Sequence, residues 1–281
     1  MQVIETPQAM QDYARDARAQ GRSIGLVPTM GYFHEGHLSL MRASAAENDI
    51  TITSLFVNPA QFGAHEDLDK YPRDVERDCD LARSAGVDIM FTPTNEMMYP
   101  PGYRTYIRVE EWSDRLCGVT RPIHFRGVAT VCCKLFNICM PRRAYFGLKD
   151  AQQCLIIKKM VEDLNLDVEI KPMPLVREAG GLAMSSRNVY LSEAERRDAL
   201  RISQALFMAR DMIAAGETSA AAIRGAMRDH IEQSPLAKID YIETVDSRTL
   251  ASADTVKPGV LIAAAVFFGP TRLIDNIIVE G

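Results

Sequence analysis

The sequence has no hydrophobic run long enough to cross a membrane. Its most apolar segment, residues 260–268, is far shorter than the roughly 20 apolar residues that a transmembrane helix needs. Residues 1–6 contain no basic region followed by a long apolar stretch, so we expect no signal peptide. These absences predict no membrane partner.

Positive charge is not in excess either. The 32 Lys and Arg residues against 37 Asp and Glu residues give a net charge of -5, whereas a general nucleic-acid binder normally has a basic surface. We therefore expect no nucleic-acid partner. The cysteine spacing matches no zinc or disulfide framework, which indicates a reduced, cytoplasmic protein. The cysteines are Cys79, Cys117, Cys132, Cys133, Cys139 and Cys154.

Internal repeats and low-complexity segments are absent as well. The composition, 47% hydrophobic and 25% charged, is ordinary for a globular protein. The 281 residues are enough for one large domain or two ordinary ones.

The most informative stretch is Val-Pro-Thr-Met-Gly-Tyr-Phe-His-Glu-Gly-His-Leu at residues 27–38. It joins a predicted strand to a predicted helix, yet it contains neither the Gly-x-x-x-x-Gly-Lys-Ser/Thr nor the Gly-x-Gly-x-x-Gly phosphate loop. Its glycines, Gly31 and Gly36, permit tight turns and close approach of a ligand. A helix N-terminus favours anions, phosphate above all, and His34 and His37 could donate hydrogen bonds to phosphate oxygens. A zinc site and a pair of capping residues are the alternatives.

Strands and helices alternate over the first 175 residues. The predicted strands are 24–29, 50–57, 87–92, 144–146 and 167–173, with helices from residue 7 and at 36–47, 74–84, 124–139 and 151–164, and a further possible strand at 103–109. Short strand–helix–strand units give parallel strands with right-handed crossovers. Residues 1–175 are therefore predicted to form a doubly wound, Rossmann-like α/β domain.

The pattern changes after residue 175. Ser192 and Glu195 form a predicted capping box for a helix that runs to about residue 214. A helix at 219–233 and three strands at 239–245, 260–268 and 273–279 follow, with no helix between the strands. This order predicts a smaller α+β domain over residues 176–281.

Three further polar stretches have the chemistry of a site. Asn58 and Gln61 could orient a hydroxyl or carboxylate, or form an ordinary Asn-Pro turn. Lys149 could neutralise phosphate and Asp150 could reach magnesium, or they could be a solvated lysine and a helix cap. Residues 185–187, Ser-Ser-Arg, suit phosphate oxygens, or form a plain polar loop. Together they favour a magnesium–nucleoside triphosphate beside a small polar acid.

The motifs in their order along the chain resemble those of one family. They are Pro-Thr-Met-Gly at 28–31 with His-Glu-Gly-His at 34–37, Phe-Val-Asn-Pro at 56–59 with Gln61 and Phe62, Tyr-Pro-Arg at 71–73, Arg-Pro at 121–122 with His124 and Phe125, Phe-Gly at 146–147 with Lys149, Asp150, Gln152 and Gln153, Met-Ser-Ser-Arg-Asn at 184–188 and Arg-Leu-Ile-Asp-Asn at 272–276. The chain is similar to the pantoate–β-alanine ligases, which belong to the nucleotidyltransferase superfamily with the His-x-Gly-His signature.

The resemblance implies condensation of pantoate with β-alanine, through pantoyl adenylate, to pantothenate, AMP and pyrophosphate, with ATP and Mg2+. It assigns to ATP the residues Met30, Gly31, Tyr32, Phe33, His34, Glu35, Gly36, His37, Gly147, Leu148, Lys149, Asp150, Val176, Met184, Ser185, Ser186 and Arg187. The expected catalytic residues are His34, His37 as proton donor, Lys149 and Arg187. Substrate binding is expected at Gln61, Gln153 and Asn58, and metal binding at Asp78 and Asp150.

The resemblance also implies a homodimer. The smaller domain, which carries the Ser-Ser-Arg loop, is our candidate for a lid that protects the adenylate from water. Two residues depart from the family pattern, because Leu148 and Cys117 stand where relatives usually have glutamate. A nucleotidyltransferase acting on a phosphorylated small molecule and a nucleotide sensor without turnover are the competing hypotheses.

Overall fold

The computed structural model describes residues 1–64 and 66–280. Its strands and helices, in chain order, are β1 (Gln2–Ile4), α1 (Pro7–Ala19), β2 (Ile24–Thr29), α2 (Glu35–Glu47), β3 (Ile50–Leu55), α3 (Val75–Ser84), β4 (Ile89–Phe91), α4 (Asn95–Met98), α5 (Cys117–Thr120), α6 (His124–Cys139), β5 (Arg143–Gly147), α7 (Ala151–Asp163), β6 (Glu169–Met173), α8 (Glu193–Ala214), α9 (Ala220–Ile231), β7 (Ala237–Asp246), β8 (Val260–Phe268) and β9 (Thr271–Ile278). None of the described helices is both long and apolar enough to span a bilayer.

The described chain divides into two compact units. Unit 1 comprises Met1–Asp114, Gly118–Leu148 and Ile156–Pro174, and unit 2 comprises Arg115–Cys117, Lys149–Leu155 and Leu175–Gly281. Two short segments that precede residue 175 in the sequence, 115–117 and 149–155, thus group with the C-terminal residues. The predicted division into domains 1–175 and 176–281 stays a prediction.

Unit 1 contains a parallel sheet with strand order β1-β4-β3-β2-β5-β6. The predicted Rossmann-like fold is confirmed. Strands β2 and β3 are buried along nearly their whole length, as expected for a sheet covered on both faces. Helix α1 packs against α6, and α2 packs against α3. Right-handed crossovers place these two pairs on opposite faces of the sheet.

Local signals explain where the helices of unit 1 begin. The Thr6 hydroxyl accepts a hydrogen bond from the Ala9 amide at 3.2 Å, and Pro7 occupies the first helical position of α1. The Asp74 side chain caps α3 in the same way, by accepting from the Arg77 amide at 3.1 Å. The predicted helix at 36–47 begins one residue earlier than expected, at Glu35.

In unit 1, one predicted strand is absent and one short strand was missed. The strand predicted at 103–109 is wrong, because this segment lies outside the helices and strands. The Ile107 amide instead donates to the Thr130 hydroxyl of α6 at 2.9 Å, and the Tyr103 and Tyr106 rings pack edge to face at 5.3 Å. Strand β1 was not predicted, since it has only three residues, two of them exposed.

Unit 2 contains the smaller α+β arrangement, with an antiparallel sheet of order β7-β8-β9. The three predicted strands are confirmed. Ser192 and Glu195 form the predicted capping box, with the Glu195 amide 3.3 Å from the Ser192 hydroxyl. Helices α8 and α9 and the sheet enclose an apolar core, which includes Ile202, Leu206, Ile223, Ile262 and Phe268.

Candidate active site

The topology of unit 1 creates a switch point between β2 and β5. The chain passes from β2 to β3 on one side, whereas β5 pairs with the other edge of β2. In open α/β sheets, ligands bind outside the carboxyl ends of strands at such a point. The predicted ATP loop at 30–37 follows β2, and Gly147, also predicted to bind ATP, ends β5.

The loop after β2 is held in an uncommon conformation by α3. Gly31 has φ +91° and Tyr32 has φ +53°, values that non-glycine residues rarely adopt. The Asp78 carboxylate accepts hydrogen bonds from the Tyr32 amide at 2.6 Å and the Phe33 amide at 2.7 Å. The Arg77 guanidinium donates to the Phe33 carbonyl at 2.9 Å. Two residues outside the predicted nucleotide motif, Arg77 and Asp78, therefore hold this loop in place.

Asp78 is almost fully enclosed, with 1% of its surface exposed. Burial raises the pKa of its carboxyl group above the usual value, although the two amide hydrogen bonds and Arg77 oppose that rise. Its short bonds to main-chain amides make it a residue that orders the loop. The sequence predicted Asp78 as a magnesium residue and gave no sign of these contacts.

His34 and His37 form a reciprocal cap at the start of α2. The His34 Nδ1 atom accepts from the Gly36 amide at 3.1 Å, and the His37 Nδ1 atom accepts from the His34 amide at 3.3 Å. The ring centroids are 4.1 Å apart. Because Nδ1 is the acceptor in each ring, these hydrogen bonds assign the proton of the neutral imidazole to Nε2.

This cap joins two interpretations that the sequence left as alternatives. The histidines are capping residues, and each also carries an Nε2–H donor at a helix N-terminus. A helix N-terminus adds main-chain amides and the positive end of the helix dipole, which together suit phosphate. The zinc alternative receives no support, because the described residues include no group of three or more His, Cys, Asp or Glu residues that could hold a metal ion.

Asn58 and Gln61 are placed by the 3-10 turn Pro59–Gln61 that follows β3. Both are buried, and the Asn58 amide nitrogen lies 3.0 Å from Gln61 Oε1. Helix α6 packs directly on this turn at Gly127, where an added Cβ atom would lie 2.3 Å from the Ala60 carbonyl oxygen. The close packing therefore requires glycine at position 127, because any other residue would add a Cβ atom.

Lys149 and Asp150 belong to unit 2 and lie in a 3-10 turn before α7. The Lys149 Nζ atom is 3.5 Å from an Asp150 carboxylate oxygen. Strand β9 holds the main chain here, because the Asn276 side chain donates to the Lys149 carbonyl at 2.9 Å. The preceding residue, Asp275, accepts a hydrogen bond from the Asn276 amide at 2.7 Å.

The buried Asp275 carboxylate is itself held by an ion pair with the partly buried Arg177. The two Arg177 terminal nitrogens lie 2.6 Å and 2.9 Å from its carboxylate oxygens. Burial raises the pKa of Asp275, against the lowering effect of Arg177. Sequence reasoning recognised the 272–276 stretch but predicted no role for Arg177, Asp275 or Asn276. An Asp-Asn pair within the otherwise apolar predicted strand at 273–279 was the available signal.

The remaining predicted ATP residues of unit 2 lie together. The Met184 amide donates to the Val176 carbonyl at 3.0 Å, which brings two predicted residues eight positions apart side by side. The Ser185 hydroxyl accepts from the Arg187 amide at 3.2 Å and begins a short 3-10 helix. Ser186 is buried. Val176 and the 184–187 loop thus form one cluster within unit 2.

Gln152 and Gln153 lie in the first turn of α7. The Gln152 side chain supports the main chain near Cys117. It accepts from the Cys117 amide at 3.0 Å and donates to the Arg115 carbonyl at 2.6 Å. Cys117 is buried, with Sγ 3.2 Å from the Tyr241 hydroxyl and 3.5 Å from an Arg272 nitrogen. Cys117, one of the two departures noted in the sequence, therefore faces a guanidinium.

Gln153 is half-buried and belongs to unit 2, whereas Gln61 belongs to unit 1. Leu148, the other departure from the family pattern, is the last residue of its unit 1 segment, and Lys149 is the first residue of the following unit 2 segment. The predicted loop 147–150 therefore draws residues from both units.

Comparisons with known proteins agree over the full length. The family model for pantoate–β-alanine ligase matches residues 2–278. The pantothenate synthetase of Acetivibrio thermocellus is 56% identical over 280 residues, covering 100% of both chains. The crystal structure of pantothenate synthetase from Thermus thermophilus matches with a TM-score of 0.94, 40% identity and 100% coverage of both chains. The Francisella tularensis pantoate–β-alanine ligase complexed with β,γ-ATP and β-alanine matches with a TM-score of 0.81 and 31% identity, over 99% of this chain and 97% of that one.

The fold and these relatives define an ATP-using enzyme that forms a carbon–nitrogen bond. The chain belongs to the pantoate–β-alanine ligase family. It condenses pantoate with β-alanine to pantothenate in an ATP-dependent reaction that releases AMP and pyrophosphate. The ligase interpretation thus prevails over the nucleotidyltransferase and sensor hypotheses.

Proposed function

We propose that ligation proceeds in two steps on the residues described above. A carboxylate oxygen of pantoate attacks the α-phosphorus of ATP, an O–P bond forms, and the bond to the β-phosphate oxygen breaks to release pyrophosphate. The neutral amine of β-alanine then attacks the acyl carbon, and AMP leaves as the amide forms and the amine loses a proton. The observation that carries this proposal is the reciprocal cap, which assigns an Nε2–H donor to each of two histidine rings at a helix N-terminus.

In the first step two anions meet and negative charge grows on phosphate oxygens. His34 and His37 can donate hydrogen bonds from Nε2–H to these oxygens. Lys149 and Arg187 supply positive charge. Preorganised donors and cations of this kind are usually the largest contribution to such catalysis. The main chain of both residues is held, because the Asn276 side chain donates to the Lys149 carbonyl and the Arg187 amide donates to the Ser185 hydroxyl.

The second step requires mainly positioning, since an acyl adenylate is already activated. We assign Gln61 and Gln153 to pantoate, with Gln61 also near β-alanine. Uncharged amides suit this role, because they bind a hydroxyl or carboxylate without changing the charge of the site. The β-alanine named in the Francisella complex supports an amine-binding site in the family.

Magnesium enters this proposal only with the nucleotide. Both Asp78 oxygens accept main-chain amides, and Asp150 lies beside Lys149, so neither residue has the surroundings of a magnesium cage built from protein. Mg2+ is commonly held by one or two carboxylates together with substrate phosphates. Asp150 is the better candidate for such a contact.

We further propose that unit 2 acts as the lid and that the enzyme is a cytoplasmic homodimer. The lid is supported by the number of predicted ATP residues that belong to unit 2, namely Lys149, Val176 and 184–187. Solution scattering with and without ATP tests it, and an unchanged radius of gyration would reject the lid. Sedimentation velocity tests the dimer.

The experiment that tests the proposed mechanism is ATP–pyrophosphate exchange without β-alanine. Exchange that depends on pantoate is the expected result, because adenylate formation is then reversible on the enzyme. If exchange is absent but added β-alanine gives pantothenate, pyrophosphate release is coupled to the second step. If neither exchange nor product is found, the proposed mechanism is wrong.

A further inference from the structure

Asn58, with 1% of its surface exposed, is joined to the protein by four hydrogen bonds. Its Oδ1 atom accepts from the Tyr99 hydroxyl at 2.8 Å and from the Ala60 amide at 3.3 Å. Its Nδ2 atom donates to Gln61 Oε1 at 3.0 Å and to the Gly127 carbonyl at 3.1 Å. A side-chain amide has two N–H donors and an oxygen with two lone pairs. These contacts therefore use the full hydrogen-bonding capacity of Asn58.

The same contacts determine which end of the Gln61 amide is the oxygen. Only an oxygen can accept the Asn58 N–H, so the other end of the Gln61 amide carries its two N–H groups. One of them points to the Met30 sulfur at 3.0 Å, which is a weak acceptor. Gln61 is therefore a donor toward a ligand, and it suits a carboxylate or hydroxyl oxygen.

Tyr99 forms the outer end of this chain of hydrogen bonds. Burial raises the pKa of its phenol above the usual value, so the hydroxyl stays protonated and can donate to Asn58. Its ring is fixed by an edge-to-face contact with Tyr103 at 5.0 Å and lies 6.4 Å from the Phe56 ring. The Tyr99 hydroxyl is thus held in place independently of any substrate.

We infer that Tyr99 is a positioning residue that acts through Asn58 to hold Gln61 with its N–H groups toward an oxygen of the acid substrate. This inference rests on the proposed role of Gln61 in pantoate binding. It makes Asn58 a support for Gln61, whereas the sequence predicted that Asn58 contacts the substrate.

The first test is the Tyr99→Phe variant, which removes only the hydroxyl. We expect the KM for pantoate to rise about fivefold, the effect of losing one neutral hydrogen bond, with the KM for ATP unchanged. Tyr103→Phe is the matched control, because Tyr103 belongs to the same aromatic row and is not among the four partners of Asn58. We expect it to leave both KM values unchanged.

The second test is Asn58→Asp, which keeps the shape but removes both N–H donors. The Gln61 oxygen then loses its donor and faces a carboxylate, so the amide should turn and direct its oxygen toward the acid. We expect the KM for pantoate to rise on the order of 10–100-fold, the range for a lost hydrogen bond to a charged group. The KM for ATP should again stay near the wild-type value.

The inference is overturned if Tyr99→Phe matches Tyr103→Phe, or if the KM values for pantoate and ATP rise equally, which would indicate a purely structural role. If Asn58→Asp does not fold, the two tyrosine variants decide alone. Pantoate-dependent exchange by the wild-type enzyme separates the two proposals. If this exchange is absent, the result counts against the proposed function. If it is normal but the variants have unaltered KM values for pantoate, only the positioning role is rejected.

Discussion

Gly31 is a residue for which any side chain is unfavourable on two grounds. Its φ of +91° is strained for other residues, and an added Cβ atom would lie 3.0 Å from an Asp78 oxygen. We expect Gly31→Ala to lose about 1–3 kcal/mol of unfolding free energy, the usual cost of such backbone strain, and to raise the KM for ATP. Urea unfolding and steady-state kinetics measure both effects.

Gly225→Ala is the matched control for this prediction. Gly225 lies within α9, and an added Cβ atom would meet nothing within 4 Å. Alanine should therefore stabilise the helix by about 0.5–1 kcal/mol, without changing the kinetics. An unchanged KM for ATP in Gly31→Ala would show that the loop does not determine nucleotide binding.

His37 has two functions that one pair of substitutions can separate. Asn at position 37 can still accept the His34 amide but lacks the Nε2–H donor, whereas Ala lacks both. Both variants should exchange pyrophosphate on the order of 10²–10³ times more slowly. Only His37→Ala should also lose about 1 kcal/mol of stability, the usual value of a helix cap. Near-normal exchange in His37→Asn would contradict the role of Nε2.

At the scale of single residues, the sequence predicts which residues belong to the site better than it predicts which residues they contact. Spacing alone identified His34 and His37 as a pair near a helix start. It could not reveal that Asp78 holds the Tyr32 amide, because these residues are 46 positions apart and meet only through tertiary packing. The same holds for Tyr99, which reaches Asn58 across 41 positions.

At the scale of elements, β9 supports the Lys149 turn through the Arg177–Asp275 pair. Removing the guanidinium leaves a buried carboxylate without its partner, so Arg177→Met should lose about 3–5 kcal/mol near neutral pH. The pKa of Asp275, already raised, should rise further. A carboxyl pKa above its unfolded value stabilises the fold at low pH, and this contribution is lost as pH rises through the folded pKa. The variant should therefore lie closer to wild type at about pH 5 than at about pH 8.

Urea unfolding at both pH values measures this difference, with Arg210→Met as control. Both guanidinium groups lie over the Phe207 ring, at 5.0 Å for Arg177 and 5.3 Å for Arg210. The carboxylate partner of Arg210 is exposed, so its loss should cost less than about 1 kcal/mol. If Arg177→Met loses the same free energy of unfolding at both pH values, the result would argue against a charged Asp275.

Most elements were predictable because their own residues determine them. Buried apolar runs predicted β2 and β3, and Thr6 with Pro7 predicted the start of α1. The segment 103–109 was not predictable, since a neighbouring side chain, Thr130 in α6, accepts its Ile107 amide where the prediction expected a strand partner.

At the scale of the whole molecule, the predicted ATP residues belong to both compact units. A non-hydrolysable ATP analogue should therefore slow amide hydrogen exchange in the 30–37 loop of unit 1 and in the 184–187 loop of unit 2. Helix α9, in the core of unit 2, should serve as an unaffected reference. Protection confined to unit 1 would reject the assignment of Val176 and residues 184–187 to the nucleotide.

The reciprocal cap also sets the length of the histidine motif. Each ring must reach a main-chain amide at one particular residue, and adding or removing one residue would rotate the second ring about 100° around the helix axis. An insertion or deletion between His34 and His37 would therefore lose the hydrogen bond to the second ring. A substitution at the half-exposed Glu35 keeps the number of residues between the histidines and so leaves that bond in place. The interval of three residues is thus a consequence of where α2 begins.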